Sequence, residues 1–456
     1  MAAKQGFGRK RPGRSDRTAS PRPSFGVREA VALTVGVVVG AGIYRTPPLV
    51  AAQSPDGEAM MLTWLLGGVI SMIGALCYAE LASTFPHAGG EYHFLRRAFG
   101  RRFAFLYGWS RLTIIQTGSL ALLAYVYGDY ASEILPLGRH SASIHAAAAV
   151  AAITAINWAG VTHGCRTQLW LTALELLGLG LVIVAGLLIA PKAVAAAPPP
   201  GETSLGLVLV FVLLTYGGWS ESAYLSAELR EARRRIMPVL IGSLALIMAI
   251  YLLVNLAYLR ALGLAGTAGS HAVAADLLRR AWGPDAAAAI SVAVAVAALT
   301  SANATAFTGA RSAFALGRDF PRLAFLGRWR SEKGTPANAL LVQGGAALLL
   351  VGFGAFARDG FRLAVEYTAP AFWLFFLAVG LALFVLRRRE PEIERPFRVP
   401  LYPAIPALFC LTSAYLLYSS LAYTGVGALV GAVVVAAGAL MLLFIDRRSV
   451  PLENAS

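Results

Sequence analysis

Two glycine clusters fall where an apolar helix ought to run unbroken. Gly40, Ala41 and Gly42 interrupt VALTVGVVVGAGIYRTPPLV (31–50), and Gly217 and Gly218 interrupt LGLVLVFVLLTYGGWSESAYLSAELR (205–230). An intact helix consumes its own backbone hydrogen bonds, whereas a broken one frees N–H and C=O groups. In hydrocarbon such groups are tolerated only where they line a polar cavity or hold a ligand. Glycine lets the chain unwind and lets a solute approach the backbone. The half-helix that starts near Ile43 presents N–H groups and a positive dipole end to an anion such as a carboxylate. The end of the preceding half-helix offers carbonyls to an ammonium group or a cation. Both ends at short range suit the α-amino, α-carboxylate head of an amino acid. The competing reading is that these small residues only permit close helix packing.

Ionisable groups inside apolar runs are expensive, so Glu80, Arg111, Glu175, Glu221, Glu228 and Glu366 each need a reason. Glu80 and Glu228 lie near the same ends of the second and sixth runs, and Arg311 closes the eighth on that side. They read either as an inner-gate salt-bridge set or as structural anchors. Arg111 is placed to snorkel to the lipid headgroups. Glu221, two residues beyond Trp219, either faces a cavity or joins two helices. Gln116 and Ser119 in the third run and Asn303 in the eighth are candidate pocket groups. No Walker A, H-E-x-x-H or G-x-S-x-G sequence occurs and the six histidines are scattered, so the chain reads as a non-enzyme with no cofactor and no metal site.

The elements that must position these groups follow from composition. The chain of 456 residues is 57% apolar and 14% charged, with a mean hydropathy of +0.64, which makes it a membrane protein. Apolar runs of about 20 residues, enough to cross a bilayer, fall at 27–45, 60–84, 103–132, 144–160, 168–190, 205–228, 237–262, 285–310, 336–357, 362–387, 401–421 and 425–445. They are apolar nearly all round, and no alternating barrel strands occur, so the expectation is an all-α bundle of twelve transmembrane helices.

The net charge of +15 forms no nucleic-acid face, because the basic residues sit in the gaps between apolar runs. With a cytoplasmic N-terminus, 30 of the 39 Lys/Arg fall on the inside and eight outside, a strong positive-inside signal. Both termini are therefore expected in the cytoplasm. Residues 1–26 read as a basic, disordered tail and 446–456 as a C-terminal tail. Cys77, Cys165 and Cys410 form no C-x-x-C pair and imply no disulfide framework.

The first break and the second lie 177 residues apart, with five runs from one to the other. Paired broken helices at corresponding positions point to two inverted five-helix repeats, 27–190 and 205–387, followed by two extra helices at 401–445.

The motifs GAGIY, CYAELASTFPHAGGEYHFLRRAFG, YGGWSESAYLSAELREARRRIMP and NATAFTGARSAFALGRDFP together resemble the amino acid-polyamine-organocation permeases. NLAYL and RRREPEIERPFRVPLYPAIP are most similar to the L-type amino acid transporter branch and its bacterial relatives. The resemblance covers roughly residues 25 to 445. It implies a permease that moves an amino acid by alternating access, coupled to H⁺ or Na⁺ or working by exchange. Carried over by position, it implies that Gly40, Ala41, Gly42 and Ile43 hold the carboxylate, while Tyr216, Gly217, Gly218 and Trp219 line the other side and gate the site. Trp219 can also be read as packing alone.

Glu175 departs from that resemblance, since many relatives carry a Lys at the matching place. A carboxylate there either carries a proton, helps hold Na⁺, or stays neutral and orders the backbone near the break. The partners implied are an amino acid substrate, an H⁺ or Na⁺ co-substrate and membrane lipid. No disulfide-linked partner subunit is expected, because the loop EILPLGRHSASIH has no cysteine. A polyamine or organic-cation carrier is the alternative if Glu221 and Glu366 face the pocket. From another class, the alternative is a multi-span receptor that binds solute without moving it.

Overall fold

The computed structural model describes residues 26–87, 89–160, 165–190, 204–221, 231–330, 335–357, 359–422 and 425–444. The leader through residue 25, Glu228, the linker 191–203 and the C-terminal tail lie outside the described residues. Among the described residues the chain is helical, with a single β-bridge, Arg330 to Thr335.

Among the described residues, seven helices are long and apolar enough to cross a membrane, and the stretches Thr172–Leu188, Leu205–Thr215 and Val426–Leu442 are shorter apolar helices. In chain order the helices are α1 (Val27–Val38), α2 (Thr46–Ala51), α3 (Gly57–Thr84), α4 (Gly90–Phe99), α5 (Arg101–Ser110), α6 (Gln116–Ile134), α7 (Ser141–Ala159) and α8 (Cys165–Leu188). Then follow α9 (Leu205–Thr215), α10 (Ala232–Ala268), α11 (Val273–Trp282), α12 (Pro284–Asp319), α13 (Ala337–Phe356), α14 (Gly360–Arg389), α15 (Ala404–Ala422) and α16 (Val426–Phe444).

Local chemistry sets the ends. The Asp56 carboxylate accepts from the Ala59 N–H at 2.7 Å and starts α3, and Asp359 does the same for α14 through the Arg362 N–H at 3.1 Å. Gly160, in the left-handed region, ends α7. In α10 the backbone turns at Gly263, whose φ is +73°, so the crossing part stops there and the helix resumes in a new direction.

The first break behaves as the glycines predict: α1 stops at Val38, a 3₁₀ turn covers Ala41–Tyr44, and α2 restarts at Thr46. The element runs six residues past the expected end at 45, because Pro47 and Pro48 sit in the first turn of α2, where a backbone N–H has no partner to lose. The third run is also interrupted. Between α5 and α6 a π turn covers Arg111–Ile115, which the apolar pattern alone does not signal. The loops at 85–100 and 263–283 each carry a helix, α4 and α11, amphipathic enough to lie against the bundle.

Candidate functional site

A cavity of about 230 Å³ opens where the two breaks meet α6, α12 and α14. Its wall takes Gly40 and Gly42 from the first break and Gly217, Gly218, Ser220 and Glu221 from the second. Gln116 and Ser119 come from α6, Ser301, Thr305 and Thr308 from α12, and Thr368 and Phe372 from α14.

The backbone at the first break is open to this space. The Gly40 backbone is extended (φ −67°, ψ 177°), and the 3₁₀ turn that follows ends on the bond from Arg45 N–H to the Gly42 carbonyl at 3.0 Å. Among the described residues the N–H groups of Gly40, Ala41 and Gly42 have no carbonyl partner, because the turn they begin has no turn behind it. At the second break Gly218 takes φ +96°, a conformation that an L side chain resists. The two breaks are also tied to one another: the Thr46 and Thr215 hydroxyls lie 2.7 Å apart. A Cβ on Gly42 would stand 3.3 Å from Thr215 Cγ2, a tighter contact than most Cβ atoms make, so a side chain at residue 42 would press on the second break.

Tyrosine hydroxyls serve the freed carbonyls. Tyr251 of α10 reaches the Val38 carbonyl at 2.9 Å and the Thr215 carbonyl at 3.3 Å, spanning the ends of both broken helices. Tyr130 donates to the Tyr44 carbonyl at 3.1 Å. The sequence does not single out Tyr130, Tyr251 or Thr215. Their only signal is that of polar side chains set in long apolar runs.

Several candidates stand behind the wall rather than on it. Ala41 and Ile43 are fully buried, and Tyr216 is buried with its hydroxyl donating to the Trp64 carbonyl at 3.1 Å. Trp219 packs edge-on to Tyr78 at 4.9 Å and against Phe376 at 5.5 Å. Asn303 accepts from the Asn157 amide at 2.6 Å, joining α12 to α7. Glu175 of α8 is buried with its Oε2 unpaired; it is an electrostatic neighbour of the cavity residue Ser301, and its own carbonyl accepts from the Tyr44 hydroxyl at 3.4 Å.

Among the described residues, three buried charge clusters lie in the bundle near the cavity or toward its ends. At one end of the bundle, Arg45 is buried and bridges Asp129 at 2.8 Å and Asp359 at 2.7 Å, with its guanidinium 5.6 Å from the Phe361 ring centre. Nothing in the sequence announces this cluster, although Arg45 follows the first break directly. At the other end, Glu80 is clamped by Arg387 at 2.7 Å, by Arg395 at 3.6 Å and by the Val399 N–H at 2.7 Å. Arg311 lies over the Phe307 ring at 3.9 Å. Glu228, the third member of the expected gate set, lies outside the described residues.

The third cluster corrects the reading of Arg111. Its side chain turns inward and is 3% exposed, rather than snorkelling to the headgroups. Nη2 lies 2.9 Å from both carboxylate oxygens of Glu221, so the burial cost is met by a charge-assisted pair. Arg111 opens the π turn Arg111–Ile115. Glu221 thus both lines the cavity and joins two elements. Glu366 pairs with Arg362 at 2.9 Å against Gly425 and Gly427, and is absent from the cavity wall.

A helical bundle whose central cavity is walled by two broken helices defines a multi-pass membrane transport protein. The chain belongs to the amino acid permease family, whose sequence model matches residues 25–444. It is 29% identical over 412 residues to the b(0,+)-type amino acid transporter 1 of Mus musculus, covering 88% of this chain and 83% of that one. It is 26% identical over 408 residues to the serine/threonine exchanger SteT of Bacillus subtilis, covering 88% and 91%. The cystine/glutamate transporter of Pongo abelii is 28% identical over 416 residues, covering 88% and 81%. Each of these relatives is by name a transporter or an exchanger.

Proposed function

We propose that this permease is a secondary transporter that takes up a single amino acid by its zwitterionic head and moves it by alternating access. The observation that carries the reading is the run of N–H groups without a backbone partner at Gly40–Gly42, with Gly40 and Gly42 on the wall of a cavity closed from the other side by Gly217 and Gly218. A carboxylate satisfies such donors at no cost in rearrangement. The C-terminal ends of α1 and α9, the negative ends of their helix dipoles, favour an ammonium group beside them. A cavity of about 230 Å³ admits one amino acid.

In this reading the bundle has twelve crossings, two inverted five-helix repeats at 27–190 and 205–387, and both termini in the cytoplasm of a cell membrane. The Arg45, Asp129 and Asp359 cluster then closes the outer side, and the Glu80 clamp the inner. Glu175 is the coupling residue. A buried carboxylate with an unpaired oxygen is satisfied by a proton or a monovalent cation, and it stands next to Ser301 at the cavity. The polyamine alternative needs both Glu221 and Glu366 at the cavity, and only Glu221 lines it.

The test is uptake of radiolabelled amino acids into liposomes holding the purified protein, with and without imposed proton and sodium gradients. Accumulation against a gradient supports coupled transport. Entry only in return for internal amino acid makes the protein an exchanger. Binding without entry sinks the transport reading.

A further inference from the structure

The loop that joins α12 to α13 has two faces. Phe320, Leu323 and Leu326 turn inward and pack with Phe105, Leu316 and Leu340 in a small core of their own. Arg322, Phe325, Arg328 and Trp329 turn outward, with Phe325 45% exposed and Trp329 42%. The loop is fastened in this arrangement. The Asn338 amide donates to the Phe325 carbonyl at 2.8 Å, and the Arg330 N–H donates to the Thr335 carbonyl at 3.0 Å. A Cβ on Gly317 would stand 2.3 Å from the Gly327 nitrogen, so the loop lies backbone to backbone against the end of α12.

The outward face gathers rings and guanidinium groups. Trp329 packs edge-on to Phe314 of α12 at 5.1 Å, and Arg318 lies 6.0 Å from that Phe314 ring. Arg330 lies 4.7 Å from the ring of Trp158, near the end of α7. α7, α12 and α13 are each long and apolar enough to cross a membrane, and α13 packs against both of the others. This surface therefore lies level with the ends of three crossings, where aromatic side chains meet headgroups. Farther along α7 and α13, Ile156 and Leu341 are exposed apolar residues suited to hydrocarbon.

The charge excess here holds whichever pairs form. Residues 311–330 contain five arginines and one acid, Asp319, and the next four residues add Glu332 and Lys333, which cancel. Each segment outside the described residues is neutral or basic in side-chain composition, so none brings a net negative charge to this surface. Basic groups between the ends of crossing helices attract anionic headgroups. A zwitterionic headgroup brings no net charge to offset the excess, whereas a phosphodiester with an uncharged headgroup does.

We propose that the surface formed by Arg318, Arg322, Arg328 and Trp329 binds an anionic phospholipid, its phosphate among the arginines and its chains along the apolar flanks of α7 and α13. The lipid braces the end of α12, the helix that also carries Ser301, Thr305 and Thr308 of the cavity wall. The site is independent of which solute the cavity holds.

The test is binding of a fluorescent phosphatidylglycerol to the purified full-length protein in detergent, followed by polarisation, with each variant checked for a monodisperse elution profile. Unlabelled phosphatidylglycerol should displace the probe, while phosphatidylcholine with the same chains and water-soluble glycerol phosphate should not. Arg318→Gln, Arg322→Gln and Arg328→Gln should each weaken binding about fivefold, and the triple variant should weaken it further. Replacing the same three residues by lysine keeps the charge and should preserve binding. Trp329→Ala should weaken it too, and supplies an independent check if the triple variant does not fold. Arg233→Gln, Arg234→Gln and Arg388→Gln combined remove three exposed cations from other elements and should leave binding unchanged. If the triple glutamine variant loses no more affinity than this control, the arginines act only as part of a generally basic side and the proposal is overturned. Displacement by glycerol phosphate as effective as by the lipid marks a site for free phosphate, and binding of labelled polyglutamate but not of the lipid marks a protein-docking surface. Either result also overturns it.

Discussion

The hydroxyl of Tyr251 lies 2.9 Å from the carbonyl oxygen of Val38, the residue at which the first broken helix stops. The same hydroxyl is 3.3 Å from the Thr215 carbonyl, where the second broken helix stops. One side chain of α10 therefore serves both interruptions of the backbone. Tyr251→Phe leaves two buried carbonyls without this donor and should cost about 1–3 kcal/mol. A lowered melting temperature in detergent, with slower uptake, is the expected result; an unchanged melt would show that other groups satisfy these carbonyls.

Gly42 faces Thr215 between the two breaks, where a Cβ at residue 42 would meet Thr215 Cγ2 at 3.3 Å. Gly42→Leu extends that clash with the rest of an isobutyl side chain pushed into the cavity wall. Transport should fall below detection while membrane insertion and a monodisperse elution profile survive. Normal uptake by this variant would return the glycine to an ordinary packing role.

Arg45 is the common partner of Asp129 and Asp359 and is almost fully buried. Arg45→Gln leaves two carboxylates without their cation, and breaking such a buried pair costs about 3–5 kcal/mol. Asp359→Asn should cost less, since Asp359 is the more exposed acid and Asp129 still holds the guanidinium. Melting temperatures of the two variants should fall in that order. Equal effects would place the weight of the cluster on the Asp359 side.

Glu175→Gln keeps the shape of the side chain and removes its ability to ionise. The variant should carry substrate downhill and fail to concentrate it, in vesicles with an imposed proton or sodium gradient. Concentrative uptake that persists at every pH tested removes Glu175 from the coupling step.

His93, in α4, stacks on His87 just before that helix, with ring centres 4.2 Å apart. Burial, then the neighbouring His87, Arg97 and Arg96, pulls the His93 pKa down to about 4 from 6.5. His87 is lowered too, by burial and then by Arg96. The unfolded chain therefore binds protons between about pH 6.5 and about pH 4 that the folded chain refuses, so stability falls as pH drops through that window. His93→Gln should flatten the melting temperature against pH there. A slope equal to that of the wild type would assign the acid sensitivity to other groups.

The fold is legible in the sequence to the extent that it depends on local rules. Long apolar runs must be helices in lipid, because no other open structure satisfies its own backbone there. The glycine clusters mark the interruptions at residues 38–46 and 215–219, and Gly40, Gly42, Gly217, Gly218 and Gln116 do line one cavity. The π turn at Arg111–Ile115 is not legible, because an extra residue in a turn leaves the apolar pattern nearly unchanged.

Sequence by itself determined the helical membrane class, the places where helices break, and the presence of ionisable groups that water could not be solvating. Tertiary structure alone decided which way those groups point and whom they meet. Glu80 finds Arg387 from 307 residues away, and Arg111 turns from the lipid side to Glu221, 110 residues distant. The reason is physical: an apolar run gives a helix no marked face, so only packing against its neighbours fixes its rotation, and that rotation sets every charge partner inside the bundle.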